Sequence, residues 1–147
     1  MPASTLTTYQ AFKEHLAEGV HSFASDATCT LTVALCAAAN APNVSTHAVL
    51  ADITQISYTN LSARVVSVTT STQSAGTYKL VVGDLTLSAS GGAAAAFRYV
   101  VLYNDDPTSP ADPLIGYLDY GADITLADGE SLLLDFSAAN GILQISG

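Results

Sequence analysis

Two dense apolar runs close together constrain this chain most. Phe97-Arg98-Tyr99-Val100-Val101-Leu102-Tyr103-Asn104 is the first, and Pro113-Leu114-Ile115-Gly116-Tyr117-Leu118-Asp119-Tyr120-Gly121 is the second. Between them lie Asp105, Asp106, Pro107, Pro110 and Asp112, residues that favour turns and interrupt helices. Aromatic and β-branched residues at this density fit paired strands better than a loop. The region therefore reads as two β-strands joined by an acidic turn. Nothing in it looks like a catalytic centre.

The rest of the chain predicts more strands. Residues 28–35 alternate Thr with Cys, Leu and Val, a period of two. Further strands are expected at 64–69, 77–82, 85–88, 124–126, 131–136 and 142–145. Residues 71–76 read as a turn, Gly83-Asp84 as a bulge or tight turn, and 127–129 and Asn140-Gly141 as hairpin turns. Residues 49–56 fit either a short strand or a helical turn. One helix is expected, over residues 9–22. Thr7 and Gln10 have capping-box spacing, Phe12, Leu16, Val20 and Phe23 form one stripe, and Gly19 suits a left-handed cap. The expected fold is mainly β: a single-domain antiparallel β-sandwich or partly open barrel. It comprises an extended arm at 1–8, one short N-terminal amphipathic helix at 9–22 and a β core at 28–146. Strands do not alternate with long helical patterns, which argues against a doubly wound α/β fold.

Charge narrows the partners. The 147 residues hold 13 acids and 4 Lys and Arg, a net charge of −9, and no basic residue follows Arg98. A nucleic-acid surface needs cations to displace counterions, and an anionic membrane asks the same, so both are disfavoured. Only 12% of residues are charged while 49% are hydrophobic, a balance that suits a surface partly covered by neighbours. The first residues show neither a basic region nor an apolar segment of a secretory leader, so synthesis in a cytoplasm is expected. Cys29 and Cys36, seven apart, are expected on opposite strand faces as buried thiols.

Searches for chemistry return little. The nucleophile elbow, the phosphate loop and the dinucleotide fingerprint are missing, and Gly91-Gly92 reads as a loose loop. His15, His21 and His47 are scattered, and the cysteines lack zinc spacing. No catalytic residue, cofactor or metal is expected, and an enzyme is disfavoured. Asp119, Asp123, Asp128 and Glu130 cluster near turns. They read as solvated turn acids, with Ca²⁺ binding or a general acid and base pair as the sharper alternatives. Tyr99, Tyr103, Tyr117 and Tyr120 read as core and interface packing, with a stacking platform for sugars as the alternative.

Several blocks resemble a family of small virion proteins of tailed bacteriophages. They are Leu16-Ala17-Glu18-Gly19-Val20-His21, Leu31-Thr32-Val33-Ala34-Leu35, Val49-Leu50-Ala51-Asp52-Ile53 and Ser90-Gly91-Gly92. Leu126-Ala127-Asp128-Gly129-Glu130 and Asp135-Phe136 follow, and the stretch 97–121 is the specific part. Between Thr59 and Ser74 the chain departs from the pattern, with Ser and Thr where a glycine-rich turn is expected. The resemblance implies a virion structural protein without catalytic residues. The leading expectation is a capsid decoration (cement) protein, made in the host bacterial cytoplasm and bound to the outer face of the head. Its partners would be the major capsid protein and copies of itself, a trimer being one arrangement. A tail or head-fibre component is the alternative, and a carbohydrate-binding module is the reading from another class. The expected interface residues are Met1, Pro2, Ala3, Ser4, Thr5 and Leu6 of the arm, which would add to a neighbour's sheet edge, with Tyr103, Tyr117 and Tyr120.

Overall fold

The computed structural model describes residues 6–24 and 29–147. Among these residues ten strands and one α-helix are formed. In chain order they are β1 (Thr7–Thr8), α1 (Gln10–Ala17), β2 (Leu31–Cys36), β3 (Val65–Val66), β4 (Val68–Ser74), β5 (Thr77–Val82) and β6 (Leu85–Ser88). β7 (Phe97–Asn104), β8 (Leu114–Ile124), β9 (Ser131–Leu134) and β10 (Leu143–Ser146) complete the set. A five-stranded sheet has the order β1-β8-β7-β2-β3, a three-stranded sheet β10-β5-β4, and a ribbon β6-β9. Every pairing between these strands is antiparallel. The protein is mainly β and sandwich-like, with one helix.

The two runs that stand out in the sequence are β7 and β8, paired along their length. β7 also pairs with β2, from Leu31↔Asn104 to Cys36↔Tyr99. All six residues of β2 are buried, so Thr32 does not face water as simple alternation would suggest. Past β3 the free edge of β2 is closed by a loop. Ile56 donates to the Leu35 carbonyl at 2.9 Å, Leu35 donates to the Tyr58 hydroxyl at 3.0 Å, and Val33 donates to the Arg64 carbonyl at 2.9 Å. Buried side chains from all three sheets form one cluster that includes Leu35, Leu80, Leu87, Leu102, Leu118 and Leu134. Each such side chain contributes roughly 1.5–3 kcal/mol on leaving water.

Several expectations are corrected. The helix is shorter than 9–22. Thr7 cannot cap it, because Thr7 is paired with Tyr117 in β1, and Tyr9 takes the cap position without a side-chain bond. The helix ends where Gly19 was expected to end it, with φ +75° and Val20 donating to the His15 carbonyl at 2.9 Å. The turn expected at 71–76 shrinks to Ala75-Gly76, since β4 continues to Ser74. The segment 64–69 is split at Ser67, one part serving each of two sheets. Residues 124–126 are not a separate strand, because β8 runs unbroken to Ile124. The turns at 127–129 and 140–141 do not close hairpins between sequential strands. β9 goes to β6, with Leu87↔Leu132, and β10 goes to β5, with Leu143↔Leu80. Both long-range pairings bring leucines into the shared core, an outcome that local turn chemistry cannot anticipate. The open choice at 49–56 resolves as a short 3-10 turn at Leu50–Asp52. The Asp52 carboxylate accepts the backbone N–H groups of Ala48 and Val49, which holds that carboxyl below the usual range.

Candidate interaction surface

A strand at the end of a sheet presents unpaired backbone groups, a template for another chain. β4 and β10 end the three-stranded sheet. Neither carries a charge or a proline, the devices that normally blunt an edge. Ile145 on β10 is 45% exposed, and Val65, Leu133 and Tyr120 are the other large exposed apolar residues among those described. Between β10 and the edge of the five-stranded sheet runs a groove of about 370 Å³, lined by Leu6, Thr8 and residues 140–144.

The expected interface residues divide. Met1, Pro2, Ala3, Ser4 and Thr5 lie outside the described residues. Leu6 is buried, and Thr7 and Thr8 pair with Tyr117 and Gly116 of the same chain, so this part of the arm belongs to the fold. The reason is Gly116: a side chain there would lie 2.9 Å from both Leu6 and the Thr7 carbonyl, and its absence lets β1 come close. Tyr103 is buried and belongs to the core cluster. Tyr117 is half-buried between Tyr9 and Tyr99, each ring centre 6.0 Å away. Tyr120 alone of the three is open to solvent. With Tyr99 and Tyr103 both buried, the four tyrosines do not assemble into a shared stacking surface.

The late acids are spent on backbone. Asp128 Oδ1 accepts the Gly91 N–H at 2.9 Å, and Glu130 Oε2 accepts the Ala127 N–H at 2.8 Å. Asp123 Oδ1 accepts the Ala38 N–H at 3.1 Å. Asp119 takes two bonds from Arg98, Nε at 2.7 Å and Nη2 at 2.9 Å, and the guanidinium holds its carboxyl below the ordinary value. Among the described residues no three His, Cys, Asp or Glu side chains gather as a metal site would need. At the other end of β7, Asp112 has its carboxyl pushed up by burial and by the charge of Asp105.

Two buried groups are perturbed without an evident chemical task. His21 stacks on Phe23 at 5.2 Å, meets Phe12 at 5.1 Å, and places Nδ1 3.4 Å from the Asn104 amide. Burial, then the nearby His15, lower its pKa to about 4. Burial pushes the Cys36 thiol up to about 11, far from a nucleophile's range. Cys29 lies ahead of β2 rather than in it, and both cysteines are buried.

Sequence reasoning missed two features. One is the pair of uncharged edges, whose signal was the lack of any charge in 68–74 and 143–146. The other is the Arg98–Asp119 brace, whose signal was a glycine two residues after Asp119 in an otherwise apolar strand. No known family model, curated protein or solved structure matches the chain.

Proposed function

We propose that this protein is a virion structural protein of a tailed bacteriophage, and specifically a capsid decoration protein that binds the outer face of the assembled head. The observation that carries this reading is the pair of open, uncharged edges, β4 and β10, on a strongly acidic β domain. Such edges suit addition to another sheet, while the charge keeps unassembled copies apart and draws them to a basic surface. The blocks at 97–121 support the same reading by resemblance. The mechanism is mass action: a protein that binds only the assembled lattice lowers the free energy of that lattice and not of its separated subunits. A contact of at least about 1,000 Å² per copy is needed for a durable hold.

The test mixes purified protein with undecorated heads. Saturable binding in many copies per particle, with a higher rupture temperature, is the expected result. Binding at only a few copies per particle would move the protein to a tail or fibre. No binding at all would end the reading.

A further inference from the structure

Residues 120–123 form a braced tongue. Tyr99 faces Asp119 and Phe97 faces Ile124, so β7 spends one residue, Arg98, where β8 spends four. Extra residues on one strand leave the ladder and re-aim side chains, and all four here are exposed. A four-residue excursion into solvent would ordinarily be loose. This one is tied at both ends. Arg98 grips Asp119 through two parallel bonds, Asp119 Oδ1 also accepts the Gly121 N–H at 2.8 Å, and Asp123 accepts the Ala38 N–H. Gly121 has φ +92°, a conformation that a residue with a Cβ rarely adopts. An arginine, two aspartates and a glycine thus hold in place a segment that buries nothing.

What the tongue carries is Tyr120, 41% exposed and the one aromatic ring among the large exposed apolar residues described. An aromatic side chain mounted on a backbone already tied at both ends costs less ordering on binding than one on a free loop, a property that favours binding hot spots. We propose that the tongue is a contact, besides the sheet edges, by which this protein seats on its partner, Tyr120 entering a pocket that presents an arginine or lysine. This rests on the decoration reading and names the chemistry of the surface it needs. Three observations select a cationic pocket. The face of a tyrosine ring attracts a guanidinium or ammonium. Asp123 accepts the Ala38 N–H through Oδ1 and adds a second negative charge beside Arg98, so the tongue as a whole is acidic and suits a charge-assisted bond. The chain has no cation after Arg98, so an acidic partner would be repelled.

Wild type, Tyr120→Ala, Asp123→Asn and the uncharged control Thr86→Ala, on the exposed face of β6, are titrated onto undecorated heads at two salt concentrations. Tyr120→Ala is expected to weaken binding by about thirtyfold, the scale of a hot-spot residue, while melting as the wild type does. Asp123→Asn should weaken binding and flatten its salt dependence, and Thr86→Ala should change neither. Wild type and Tyr120→Ala binding equally well would overturn the tongue and leave the decoration reading standing. If the wild type itself fails to bind heads, both fall together.

Discussion

His21 shows what one buried side chain does to the pH response of this fold. Its ring is enclosed by Phe12, Phe23, His15 and Asn104, and its pKa in the folded chain is about 4 against an ordinary 6.5. Between those values the unfolded chain carries a proton at this position that the native chain does not. The contribution to stability is therefore complete above about pH 6.5 and is lost as the pH falls towards 4. A shift of this size corresponds to roughly 3 kcal/mol over the window. Denaturant melts taken at several pH values should show this decline, and His21→Phe should flatten it whatever its effect at neutral pH. An unchanged slope in the variant would place the acid sensitivity elsewhere. The rings of α1 and of residues 20–24 would loosen first, because they form the cage around the imidazole.

The turn between β4 and β5 offers a sharp test at the level of elements. Ala75 has φ +50° and Gly76 φ +82°, the pair of values a two-residue hairpin turn requires. Glycine meets this easily and alanine does not, whereas asparagine tolerates it. Ala75→Asn should therefore stabilise the protein by about 0.5–1 kcal/mol, read as a higher midpoint of unfolding with an unchanged slope. The same turn shows why some of the fold was legible and some was not. Strands with strong periodicity or strong apolar content, β5, β7 and β8, stand out in the sequence because their burial imposes a residue pattern. β4 is the sequence Val-Thr-Thr-Ser-Thr-Gln-Ser, exposed along an edge, and an exposed edge asks little of its side chains, so its second half resembles a turn. The partners of β9 and β10 are set by leucines from distant segments, and the turns before them carry no record of that choice. The differing exposure of the tyrosines was hidden for a related reason. Tyr103 and Tyr117 share a composition with Tyr120, but pairing with β2 and packing against Tyr9 bury or half-bury them. The brace at Arg98 could be suspected from Gly121, and only the register of β7 against β8 reveals the four-residue excess.

The whole molecule balances two opposing tendencies. Its charge of −9 is spread over a small body, and one of its sheets ends in two backbones that are ready to pair. In dilute buffer the first is expected to dominate and to hold copies apart. Added salt shortens the reach of that repulsion, from about 10 Å at 0.1 M to about 3 Å at 1 M. Hydrogen bonding along an edge is hardly affected by salt. Light scattering should therefore report reversible self-association as salt rises, while the proposed seating on heads should become weaker. An Ile145→Lys variant, which sets a charge on β10, should suppress the first effect; association unaltered by that lysine would exclude β10 as its route. Two edges on one sheet are not equivalent to each other, so copies joined through them meet head to tail. A head-to-tail rule closes into a ring when the rotation at each joint divides a full circle, and otherwise it grows without limit. On the proposed reading, the same unguarded backbones that would suit this protein to a lattice would leave an unbound pool one screening step away from filaments.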